Sequence, residues 1–221
     1  MGAPHGLLPE PQVANEYAGE VIEASISQFR CFAPVLNHPP AFGSFVRVGK
    51  SVQSDPFESA KGEEGAIYGL VCQSSTSSQD PNRKPSAFGL DDGDLEREQP
   101  QIFELLATEF SCLIVAHVEQ GCLCNYFPPK PPPLHARVFA SAPDEIRALT
   151  TRFDFLRNVI NLPDRGLADD LIAASFRLAR TYQADDREFI LRACKEIAVV
   201  LGDQYDRLTS ILRKIRLDSN P

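Results

Sequence analysis

The chain has no apolar run near the 18–20 or so residues that a membrane-crossing helix needs, so no transmembrane segment is expected. Its first twenty residues, MGAPHGLLPEPQVANEYAGE, lack a basic stretch followed by an apolar one, and no secretory signal is read there. His5 and Gly6 stand where N-myristoylation would want Ser or Thr. Positive charge is also scarce. Lys and Arg number 22 against 30 Asp and Glu, and the formal net charge of -8 argues against broad nucleic-acid binding.

Chemical signatures are scarce too. Gly49-Lys50-Ser51 ends like a phosphate-binding loop, but Ser44 stands where the first glycine belongs. The following SVQSDPFES contains a proline and no helical period, so a strand-to-loop turn is the reading. No Ser/His/Asp ordering or nucleophile elbow assigns a triad. Six cysteines, at 31, 72, 112, 122, 124 and 194, sit mostly inside apolar runs such as LVCQ, SCLIV and RACKEI. That suits buried, reduced thiols in a cytoplasmic protein rather than a disulfide framework. Cys122-x-Cys124, with His117 and His135 in neighbouring segments, invites a metal, because residues two apart share one face of a strand. A structural zinc wants a second chelating pair, which is missing, so buried structural cysteines are the plainer reading. His117, after LIVA, reads as a hydrogen-bonded strand residue. No catalytic residue, cofactor or metal ligand is therefore expected, and no enzyme.

What is present is a chain of 221 residues, 43% hydrophobic, enough for one large domain or two small ones. The acidic excess lies wholly within residues 1–142, whereas residues 143–221 are balanced. Periodicity changes at the same point, which predicts a boundary near Pro143. Residues 1–18 read as a loose arm. Strands are expected over Gly19–Ala33 (one strand, bent where alternation slips), Ser44–Val48, Ala66–Cys72, Ser111–Glu119, Gly121–Phe127 and Ala136–Ala140. Gln120–Gly121 is the reversal of a hairpin. Ser74–Gly93 reads as a long polar loop, Pro100–Glu109 as a short helix, and the proline-rich PPKPPPL as extended chain. Four helices should follow. Ser141 caps the first, along which Ile146, Leu149, Phe153, Leu156 and Ile160 mark one face until Pro163. Leu167–Leu178 marks the second, Asp185–Asp186 opens a third that Gly202 stops, and Tyr205–Ile215 marks the fourth.

The stretches GEVIEAS, PPAFGSFVRV, AIYGLVCQSSTSSQDPNRKP, EQPQIFELLATEFSCLIVAHVEQG and NYFPPKPPPLHARVF resemble the HAS-barrel. This is the small β-barrel at the head of HerA-type ATPases and of ATP synthase subunits; the chain looks like its stand-alone cyanobacterial forms. The resemblance covers roughly residues 19–140. It implies a barrel that packs against neighbours in a ring or docks onto one. ATPase activity does not follow, because the segment after 142 is too short for a RecA-like domain and holds no phosphate-binding loop.

The expectation is thus an α+β protein: a HAS-like barrel of five or six strands with one inserted helix over 19–142, then an antiparallel helical bundle over 143–221. The expected role is a non-catalytic assembly or adaptor protein with a protein partner, itself or a ring ATPase. Accessory nucleic-acid binding in DNA processing is the alternative. The residues singled out for partner contact are Arg83 and Lys84 in the long loop, and Arg213, Lys214 and Arg216 in the last helix. A solvated loop tip, local ion pairs with the tail's acids, and cations complementing a helix C-terminus are the bland readings beside them.

Overall fold

The computed structural model describes residues 16–49, 65–80, 97 and 100–216. Seven strands form one antiparallel sheet: β1 (Tyr17–Ala24), β2 (Gln28–Phe32), β3 (Phe45–Val48), β4 (Ile67–Ser78), β5 (Leu106–Glu119), β6 (Cys122–Cys124) and β7 (Arg137–Ala140). The order is β2-β1-β7-β3-β4-β5-β6, and β2 also pairs with β5. That extra pairing closes six strands into a barrel. The long β5 makes closure possible: one edge follows β4, while the other pairs first with β2, then with β6.

The interior is filled by Val21, Phe29, Cys31, Val46, Val48, Val71, Phe110, Cys112, Ile114 and Val138. Gly69 belongs there because a Cβ would lie 2.6 Å from the Phe29 ring, so the aromatic takes the space. Two bulges bend the wall, one passing Cys72 of β4 unpaired and the other Val115 of β5. The second turns both Val115 and Ala116 toward a second core outside the barrel.

That outer core is built with the helices. Among the described residues these are α1 (Pro100–Phe103), α2 (Pro143–Leu149), α3 (Leu156–Ile160), α4 (Arg165–Arg180), α5 (Asp186–Leu201) and α6 (Tyr205–Arg216). None is long and apolar enough to cross a membrane. Phe45, Tyr68, Leu70, Val115 and Ala116 of the barrel share one apolar cluster with Leu156, Leu171, Phe176, Phe189, Ile197 and Ile211 of the helices. The strand residues in this cluster come from β3, β4, β5 and β6, and none from β1, β2 or β7. Asp164 and Asp185 cap α4 and α5 by accepting from Leu167 N–H and Glu188 N–H. Gly202, at φ +61°, ends α5, as its position in the sequence predicts.

Several expectations are corrected. Gly19–Ala33 is a hairpin of two strands, not one bent strand: Ser25 accepts from Gln28 N–H and turns the chain. The first strand also takes up Tyr17 and Ala18, which the sequence assigned to the arm. The polar run Ser74–Ser78 is strand, because it pairs with Leu106–Phe110 along β5. The same pairing makes Leu106–Glu109 strand rather than helix, leaving four helical residues in α1. The first tail helix is two. Phe153, at φ +55°, breaks it and sends its ring into contact with Phe176 and Phe189 at 5.2 and 5.5 Å between centroids. Its N-cap is Ala142 rather than Ser141, since Pro143 takes the first helical position and Glu145 reaches back to Ala142 N–H at 2.7 Å.

Candidate functional site

Among the described residues, three places bear on function. The first lies where α2 meets the barrel. All four residues of β3 (FVRV) are buried: Val46 and Val48 face the interior, Phe45 and Arg47 the helices. Arg47 Nη1 donates to both carboxylate oxygens of Glu145 at 2.9 Å, and Tyr68 OH donates to Oε1 at 3.1 Å. Glu145 Oε2 also accepts from Ala142 N–H, and Arg47 Nε donates to Gly49 O at 3.2 Å. Burial, then the adjoining Glu145 carboxylate, pushes the Tyr68 phenol well above its ordinary value. This network is buried and ties β3 and β4 to α2.

The second place is the β5–β6 hairpin. Gln120 (φ +52°) and Gly121 (φ +78°) form a two-residue reversal of the kind whose twist matches the strands. It fixes the register: Glu119 opposite Cys122, Val118 opposite Leu123, His117 opposite Cys124. Val118 and Leu123 pack with the helical core, so His117 and Glu119 occupy the opposite face of β5. There a ring nitrogen of His117, a carboxylate oxygen of Glu119 and Cys124 Sγ all lie within 4.8 Å of one another. His117 is 3% exposed. Its Nδ1 lies 3.0 Å from Tyr126 O, and its ring meets the Tyr126 ring edge-on at 5.0 Å. Nε2 is buried without a hydrogen-bond partner and lies 3.8 Å from Glu119 Oε2. Tyr126 OH donates to Glu119 Oε2 at 3.1 Å. Hydrogen bonding with Cys124 and then Glu119 pushes the Tyr126 hydroxyl up to about 12.

Comparison with known families and with curated proteins finds no match.

The third place is the end of α6, where the sequence singled out a basic turn. Lys214 pairs with Asp170 at 2.6 Å, and Arg177 donates to Lys214 O at 2.9 Å. Arg213 is exposed beside an open depression that it lines with Asp206, Thr209, Ser210 and Lys214. The Arg216 side chain, like Arg83 and Lys84, lies outside the described residues. Elsewhere in the tail Arg207 pairs with Asp169 at 2.7 Å and Arg180 with Asp186 at 2.9 Å. Local ion pairing thus accounts for much of this basic character.

The cysteines divide. Cys31 and Cys112 are buried in the barrel, where loss of hydration pushes both thiols well above their ordinary value. Cys122 is exposed and Cys124 half-buried, a correction to the expectation that both are buried. The grouping of Cys122 and Cys124 with His135 does not form. His135, at φ +64°, is exposed and pairs with Glu20 at 2.6 Å. Glu119 and Tyr126 escaped the sequence reading, although the hairpin turn carried the signal: a two-residue reversal at Gln120–Gly121 already places Cys124 opposite His117.

Proposed function

We propose that the chain is a non-catalytic assembly or adaptor protein acting through the side of a HAS-type barrel that no described helix covers. The observation that carries this reading is the barrel's asymmetry. Strands β3, β4, β5 and β6 supply side chains to the helical core, and β1, β2 and β7 supply none. At one end of that second side the register brings the start of β1 alongside the chain leaving β2, since Glu20 opposes Phe32. Tyr17, Phe32 and Val35 lie there, 41, 37 and 55% exposed. Charged Glu23, Arg30 and Glu109 stand beside them on the same wall. Apolar anchors with a charged surround are the composition of an association surface rather than of a solvated wall.

The partner is a second copy of the chain or a ring ATPase of HerA or ATP synthase type; the latter class rests on resemblance of fold alone. Light scattering over a concentration series at two salt levels tests the reading. A defined oligomer is expected, with Tyr17→Glu and Phe32→Glu lowering its mass toward one chain. A monomer under all conditions that also retains no partner from a lysate would overturn it.

A further inference from the structure

We propose that His117 Nε2, the Glu119 carboxylate and Cys124 Sγ are the protein ligands of a divalent metal site of the zinc class, built on the β5–β6 hairpin. The argument begins with the histidine. Its Nδ1 faces the carbonyl of Tyr126, which can only accept, so Nδ1 carries a proton. In the neutral ring Nε2 then presents a bare lone pair, and this atom is buried without a partner. An acceptor, Glu119 Oε2, lies 3.8 Å away, and it already accepts from Tyr126 OH. Nε2 is thus the atom left without a hydrogen, and a cation set between the two would satisfy it.

The surroundings fit a metal. A histidine that ligates through one nitrogen donates its other N–H to a carbonyl or carboxylate, which fixes tautomer and ring orientation. The Tyr126 carbonyl already serves His117 in that way. Zinc bonds of about 2.0–2.3 Å place tetrahedral donors roughly 3.3–3.7 Å apart. Nε2 and the carboxylate oxygen are near that separation, and a ring nitrogen, a carboxylate oxygen and the Cys124 sulfur lie mutually within 4.8 Å. Glu119, 48% exposed at its side chain, and half-buried Cys124 have room to close the remainder. One imidazole, one carboxylate and one thiolate make a borderline donor set that favours zinc or cobalt over magnesium or calcium. On binding, the Cys124 thiol releases its proton to solvent and the sulfur becomes a thiolate ligand. Three protein ligands leave a fourth position for water. The site lies on the hairpin and stands independently of the assembly role.

Cobalt(II) titration of the full reduced chain tests it, because a thiolate bound to cobalt gives a charge-transfer band. About one Co²⁺ per chain is expected, with that band and the visible absorption of a tetrahedral ion, both bleached by added Zn²⁺. Cys124→Ser should abolish the band, and His117→Gln should weaken binding by at least about tenfold. Cys122→Ser, at the neighbouring exposed thiol, should leave it intact. Melting curves recorded without metal separate loss of ligand from loss of fold in each variant. Absence of the band with Co²⁺ in excess would overturn the proposal. It falls equally if the band survives Cys124→Ser or disappears in Cys122→Ser.

Discussion

Two strands of the same barrel carry an arginine at their third position and put it in opposite circumstances. In β2 (QFRCF) burial alternates: Phe29 and Cys31 fill the interior, and Arg30 stands on the solvent side with Glu23 and Glu109. In β3 (FVRV) nothing alternates, because both faces are covered, and Arg47 is sealed against Glu145 under α2. The side chains are identical, and so are the partner types. The layer of helices over β3 makes the difference. A charge that leaves water must find its counter-charge and hydrogen bonds inside, whereas one on an open wall keeps its hydration and owes its partner little.

The largest effect should come from breaking the covered pair. Arg47→Ala or Glu145→Ala leaves the other charge buried, and a loss of about 3–5 kcal/mol is expected in urea or guanidinium unfolding. The double replacement Arg47→Met with Glu145→Leu should recover part of that loss, since it removes both charges of the pair while Tyr68 OH and Ala142 N–H lose their acceptor. A loss from either single change no greater than that of an exposed pair would mean that the junction is open to water.

Next is the close approach of the barrel's flank to α4. Gly43 sits at φ +84°, and a Cβ there would lie 2.6 Å from Ala174 Cβ and 2.8 Å from Ser175 N. Gly43→Ala adds both strain and overlap, so a loss of about 1–3 kcal/mol is expected from the same unfolding measurement. Gly202→Ala supplies the control. That glycine has a positive φ too, but nothing stands within 4 Å of its absent Cβ, so its loss should be smaller.

Alkaline titration separates the two cores by chemistry. Burial raises the thiols of Cys31 and Cys112 above their ordinary value of 9.0, and the Tyr68 phenol above its ordinary 10.0. Below pH 9 the folded and unfolded chains both keep these protons. Above it the unfolded chain gives up protons that the fold retains, so stability falls as pH rises. Unfolding free energies measured from pH 7 to 10.5 should decline beyond about pH 9. Tyr68→Phe should remove only the contribution of the helix-facing side. Thiol labelling at pH 8 should find Cys122 first, and Cys31 and Cys112 only on unfolding.

The same contrast explains what could be read in advance. The cores of β3 and β4, the Gln120–Gly121 reversal, the Asp185 cap and the Gly202 stop are local signals, each written within a few residues. The extension of β4 through Ser74–Ser78 is not local: those serines are strand because β5 runs beside them. Ile102, Leu105 and Leu106 have helical spacing, and from Leu106 onward the ladder overrides it. Phe153 follows the helical period and is buried as that period requires, yet the chain breaks there because the ring completes an aromatic cluster with two other helices. Cys124 and His117 were each visible as residues, and Glu119 only as one more acid in an acidic half. Their meeting depends on register, and the absence of a partner for Nε2 depends on burial, which sequence does not display.

The smallest effect belongs to the open wall. Arg30 approaches Glu23 at 2.5 Å and Glu109 at 3.4 Å, but its side chain is 47% exposed and that of Glu23 is 67% exposed. Water and salt can replace both contacts, so Arg30→Ala should cost about 0–1 kcal/mol in the monomer. The residual cost should shrink further at 0.5 M salt, because screening acts on exposed pairs and hardly on buried ones. The comparison is sharpest if light scattering finds the proposed oligomer and Arg30→Ala nonetheless lowers its mass. That outcome would assign the β2 arginine to recognition as the β3 arginine is assigned to folding. A loss as large as that of Arg47→Ala, in dilute monomer at high salt, would show that β2 is covered after all.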